Sequence, residues 1–159
     1  MAPVVTGIAA SKQAPAPAEH EWSVDELKSG KAMLVYYFVA ETKATEDNFK
    51  FARKTEFSAF SNNAVERINK NWVAKKIEID FDADRKLAKN QARVEFWSFT
   101  GTKMDTIAQK NQQILNPSDF ETRLKEMERK NRVICDAAIK RINDEIAREK
   151  KETASLDAK

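Results

Sequence analysis

Hydrophobic and polar positions along this chain change their period several times, and each change marks an element. Ser23-Val24-Asp25-Glu26 has the S-x-x-E form, in which a serine hydroxyl accepts from a backbone N–H and a glutamate reaches back to the cap. A short helix is therefore expected there, ending near Gly30. Met33 to Val39 is apolar at every position and rich in β-formers, the pattern of a strand in the middle of a sheet. From Glu46 to Ile68 the period becomes helical, with Phe49, Ala52, Arg53, Phe57, Phe60, Ala64, Val65 and Ile68 spaced by three and four. Ser61-Asn62-Asn63 interrupts it with cap-forming residues, which predicts two helices.

Val73 to Phe81 alternates, with Lys75, Ile77, Ile79 and Phe81 on one face and Lys76, Glu78 and Asp80 on the other, as in a strand near a sheet edge. Asp82 to Gln91 reads as a short helix opened by aspartates. Val94 to Phe99 is a third strand, and Thr100-Gly101-Thr102 turns it into a fourth at Lys103 to Ala108. The first two strands, joined by a helical crossover, should be parallel, and the closing hairpin antiparallel. A final helix is expected from Asn116-Pro117-Ser118, capped by the Ser118 to Glu121 box, and runs without Gly or Pro to about Lys151. Acid-before-base pairs four apart, such as Glu128-Arg132, Asp136-Lys140 and Asp144-Arg148, would support it in water.

A chain of 159 residues allows one domain plus extensions. Its 28 basic and 25 acidic residues are too balanced for the one-signed field that nucleic acid binding exploits, so nucleic acid is not an expected partner. The single His20 and single Cys135 leave no material for a catalytic triad, a zinc site or an internal disulfide, so no metal or cofactor is expected. Cys135 lies among Val133, Ile134 and Ala138, the setting of a packed small hydrophobe. The longest apolar run, Met33 to Ala40, is far short of a membrane span. Residues 1–21, rich in Ala and Pro, read as a disordered arm without a complete secretory signal. The compartment stays open between exported and cytoplasmic, with a lean to exported from that arm.

Several runs resemble the thioredoxin-like proteins related to thiol-disulfide interchange domains. They are Lys31 to Phe38, Thr55-Glu56-Phe57, Asn63 to Asn69, and Trp72 to Asp80. The resemblance covers roughly Trp22 to Met127 and implies an α/β, thioredoxin-like fold: a mixed four-stranded sheet flanked by helices. In that family a W-C-x-x-C motif follows the first strand, and counting back from Phe57 sets its cysteines at Glu46 and Phe49. The stretch Glu46, Asp47, Asn48, Phe49 thus implies a degenerate active-site position, since disulfide exchange needs a reactive thiolate and a resolving thiol. The family's cis-proline would fall at Arg93 or Val94, and is also missing.

Other residues invite functional readings beside structural ones. Glu46 and Asp47 suit a first helical turn as well as a carboxylate pair. Phe49, Phe51, Phe57 and Phe60 suit a core, and Trp22 and Trp72 suit caps on the sheet ends. In the last helix Phe120, Leu124 and Met127 would cover the sheet, while Ile134, Ala138, Ile142 and Ile146 form a stripe offered to a protein partner. The expected organisation is an arm (1–21), a thioredoxin-like domain (22–127) and a C-terminal helical extension and tail (128–159). The expected function is a redox-inactive interaction or structural subunit of a larger assembly. The alternatives are a thiol-dependent enzyme using Cys135 and a chaperone-like peptide binder using the groove beside Glu46 to Phe49.

Overall fold

The computed structural model describes residues 21–40, 45–79 and 91–157. The Ala/Pro-rich arm with His20 lies outside them, except for Glu21, and so does the helix expected over 82–91, except for Gln91. The first helix, α1 (Val24–Ser29), opens on the expected box: Ser23 Oγ accepts from Glu26 N at 3.1 Å, and Glu26 Oε2 accepts from Ser23 N at 3.3 Å. It ends at Gly30, whose φ of −67° any residue adopts. Glycine is required there for a different reason, because a Cβ would run into the Phe99 ring.

Four strands follow, β1 (Ala32–Phe38), β2 (Trp72–Glu78), β3 (Arg93–Trp97) and β4 (Lys103–Ile107). They lie in the order β2-β1-β3-β4, with β1 and β2 parallel and both β1–β3 and β3–β4 antiparallel. The apolar β1 is central and the half-polar β2 is at an edge, as the patterns predict. Gly101, at φ 90°, supplies the left-handed residue of the β3–β4 hairpin.

The packed helices lie against one face of this sheet. They are α2 (Glu46–Lys54), a π-helical turn (Thr55–Ala59), α3 (Asn62–Asn71), a 3-10 helix (Gln109–Leu115) and α4 (Pro117–Asp157). Leu34, Tyr36, Ala74, Val94 and Phe96 meet them from the strands, and Phe51, Ile68, Leu115, Phe120 and Leu124 from the helices. Rings run through this core in sequence: Tyr36 to Phe60 at 5.8 Å, Phe60 to Phe120 at 5.7 Å, Phe120 to Phe96 at 6.3 Å, and Phe96 to Trp72 at 5.7 Å.

Four expectations need correction. In β2 the register pairs Leu34 with Ala74 and Tyr36 with Lys76, so the main core takes Trp72 and Ala74 instead of the Lys75 and Ile77 face. Ile79 is buried in a smaller cluster with Val39 and Tyr37. Phe57, expected in the core, is 70% exposed, because the buried row runs through Asn48, Phe51, Ala52, Thr55 and Ala59 and leaves Phe57 on the outer row with Phe49 and Arg53. The last helix is capped by Asn116, whose Oδ1 accepts from Asp119 N at 2.9 Å and whose Nδ2 donates to the Asp119 carboxylate, and not by Ser118. Along α4 the ion pairs four apart run base before acid, Arg132–Asp136 and Lys140–Asp144, and Glu128 turns instead to Arg67 and Asn71 of α3.

The first half of α4 is fixed to the rest of the domain by polar contacts as well as by its apolar stripe. Asn131, 6% exposed, accepts from Phe99 N at 2.8 Å and donates to Gly30 O at 3.1 Å. Arg132 donates to Leu27 O and Lys28 O, carbonyls at the end of α1 that have no partner further along that helix. Arg123 pairs with Asp105 of β4, and Lys130 donates to Met104 O.

Removing the central ring of the aromatic sequence should be costly. Phe120→Ala is expected to lower stability by about 3–5 kcal/mol and Ile146→Ala by under about 0.5 kcal/mol in urea denaturation, because only the first leaves a cavity.

Candidate functional site

The stretch from Glu46 to Phe49 forms the first turn of α2, capped by Thr45, whose Oγ1 accepts from Asn48 N at 3.3 Å. Glu46 is exposed and pairs with Lys50 at 3.1 Å, and Asp47 is exposed beside it. Both carboxylates sit where a helix N-terminus favours negative charge. Phe49 is half-buried, and its ring lies 5.6 Å from the Arg53 guanidinium, which has Phe57 at 5.5 Å on another side. Asn48 is the residue that turns inward, 3% exposed. Its Oδ1 accepts from Ala92 N at 2.8 Å and from Gln109 Nε2. An amide therefore ties the start of α2 to the chain just before Arg93, the place where the resemblance sets a proline.

Cys135 is fully buried on α4, with its thiol directed at Asn131 Oδ1 at 3.8 Å. Burial pushes its pKa above the ordinary thiol range; Arg132 opposes the rise and Asp136 adds to it. A thiol held neutral in this way is a poor nucleophile.

The C-terminal stripe divides along its length. Ile134 is half-buried against the main core, so it serves its own domain. Ala138 and Ile142 are half-buried, and together with Glu21, Trp22, Leu27, Arg141 and Glu145 they line a groove of about 510 Å³ beside α1. Trp22 itself packs against Phe99, ring centres 4.3 Å apart and planes tilted by 45°. Ile146 is 43% exposed and Leu156 is 71% exposed, on a stretch of helix whose residues 143–157 are all exposed.

Two polar constellations were not legible as sites. On the sheet face away from the main core, Glu95 is 5% exposed and is held by Arg93 Nε at 3.0 Å, Trp97 Nε1 at 3.2 Å and Lys103 Nζ at 3.9 Å, while the Arg93 guanidinium lies 3.9 Å over the Tyr37 ring. Burial and the nearby Glu95 carboxylate raise the Tyr37 pKa. Above β1 and β2, Glu56 of the π-helical turn approaches the buried Tyr36 hydroxyl and Lys76, whose ammonium sits 4.4 Å over the Phe38 ring. Burial pushes the Glu56 carboxyl up to about 7, with Lys76 and then Tyr36 opposing the rise. Tyr36 rises too, chiefly by burial and then by the charge of Glu56.

Among the described residues no group of three or more His, Cys, Asp or Glu could hold a metal ion, and no helix is long and apolar enough to cross a membrane. No protein-family model, curated protein or solved structure matches the chain.

Asn48→Ala leaves the Ala92 N–H buried without its acceptor and is expected to lower stability by about 1–3 kcal/mol. Reversing both Glu46 and Asp47 to Lys should cost under about 1 kcal/mol, since these are solvated charges. Paired urea denaturation curves distinguish the two.

Proposed function

We propose that the chain is a redox-inactive, thioredoxin-like domain that works as an interaction or structural subunit, with the far half of α4 as its contact element. The thioredoxin-like reading is supported by the parallel β1–β2 pair, the antiparallel hairpin that follows, and the Phe120, Leu124 and Met127 side chains laid over the sheet. Redox inactivity is supported by the absence of thiol from residues 46–49, by the structural employment of Asn48, and by the burial of Cys135.

The observation that carries the interaction reading is the mismatch between α4 and its domain. The helix is 41 residues long, about 60 Å. Its fully buried residues end at Cys135. A solvated helix that extends some six turns past its last buried residue, with Ile146 and Leu156 still exposed, gains little from its own fold and is ready to gain from a partner.

A chain ending at Asn143 keeps Asn131, Arg132, Cys135, Ala138 and Ile142, so it should melt within a few degrees of the full chain. It should lose the partners that the full chain retains from native extract, and Ile146→Asp with Leu156→Asp should lose the same ones. An identical set of partners for all three proteins would contradict the assignment. Purified protein is also expected to show no dithiothreitol-driven insulin reduction, and robust turnover would overturn the redox-inactive reading.

A further inference from the structure

The far half of α4 carries a seven-residue repeat. Ile139, Ile146 and Thr153 stand seven apart, and so do Ile142, Glu149 and Leu156, the second set three residues after the first. Spacing that alternates between three and four in this way is the a/d pattern along which two helices supercoil. Ile139 and Ile142 are half-buried, and the other four are exposed. Thr153 Oγ1 donates to Glu149 O at 2.9 Å, so the threonine brings no unsatisfied donor to this face. Ile146, Glu149, Lys150 and Thr153 are among the residues lining a shallow groove of about 500 Å³ along the helix. Residues at i, i+3, i+4 and i+7 are the four that make the hole for a knob from a facing helix. The repeat begins one turn past Cys135, the last fully buried residue of α4, where the domain ceases to cover the helix.

The charges beside this face select the occupant. Glu145 precedes Ile146 and is at a g position, and Lys150 follows Glu149 and is at an e position. Both are exposed, and neither takes part in an ion pair among the described residues. Five residues apart, they point about 140° away from each other around one helix and cannot meet on it. In two parallel helices in register, each g position faces the e position five residues further along in the other helix. Glu145 of one copy then meets Lys150 of the other, once on each side of the seam. An antiparallel pair sets g against g, and the charged g positions here, Glu145 and Glu152, are both acidic.

We propose that residues 139–156 of α4 pair with the same residues of a second copy of this chain, as a short parallel coiled coil in register. The proposal rests on the reading of the far half of α4 as the contact element and names its partner. A two-fold axis along the seam makes the contact self-complementary and closes it at two copies. Three features keep the association weak: its two and a half heptads, Glu149 in the seam, and the acidic Glu152 facing the acidic Asp157. A dissociation constant of about 10–100 µM is expected, so at about 1 µM the chain is a monomer with a solvated helix end.

Sedimentation velocity of the full chain from about 1 to 500 µM reads this association, and the wild type should pass from monomer to dimer and no further. Glu145→Lys and Lys150→Glu should each weaken the dimer about tenfold, and the double variant should return to within about threefold of wild type. Glu149→Leu should tighten it by at least about tenfold. Leu156→Cys should cross-link to itself under oxidised glutathione, because only the parallel pair in register sets the two copies of that residue together. Monomers throughout, in wild type and Glu149→Leu alike, would overturn the proposal. So would a dimer that survives truncation at Asn143 or ignores the charge reversals. A chain that stays monomeric yet holds other proteins through Ile146 and Leu156 refutes the second copy alone and leaves the interaction reading standing.

Discussion

The structure depends on Phe120 of α4 reaching the sheet between Phe60 and Phe96. A buried aromatic ring removes roughly 150–250 Å² from water, and edge contacts between rings add a further increment. Here the rings form one continuous sequence from Tyr36 to Trp72, so β1, β2, β3, the end of the π-helical turn and α4 share a single contact path. Once Phe120 is seated, α4 must pass the β4 edge and the end of α1. The Arg123–Asp105 pair, Asn131 and Arg132 then fix its course.

Much of the fold was legible because its signals are local. The capping box at Ser23, the cap at Ser61, the apolar run of β1 and the Gly101 turn each act within a few residues. The errors arose where a distant or unusual feature set the phase. Phe57 satisfies an α-helical period with Phe49 and Arg53 and yet lies outside, since the core takes the neighbouring row of Phe51, Thr55 and Ala59. Asn116 and Ser118 are both good caps, and only the position at which α4 leaves the 3-10 helix decides between them.

The candidate site was legible in outline only. The missing cysteines are plain in the sequence, but the use made of Asn48 is not, because its partners are 44 and 61 residues away. Asn131 is a comparable case. It occupies the apolar stripe of Phe120, Leu124, Met127 and Cys135, and a lone asparagine in such a stripe is a signal for a buried amide with fixed partners. The Glu56 cluster left no local trace, since an acid two residues past a helix end is ordinary until Tyr36 and Lys76 are known to lie beneath it.

The result is a helix with two unlike halves, the first committed to the core and the second extending past it. Hydrogen exchange along α4 in the isolated full chain tests this most directly. Amides from Phe120 to Cys135 are expected to be protected as well as those of β1, and amides 143–157 to exchange at least about a hundredfold faster, as a solvated helix end does. Uniform protection along the whole of α4 would contradict the account, because the far half would then be held by its own domain.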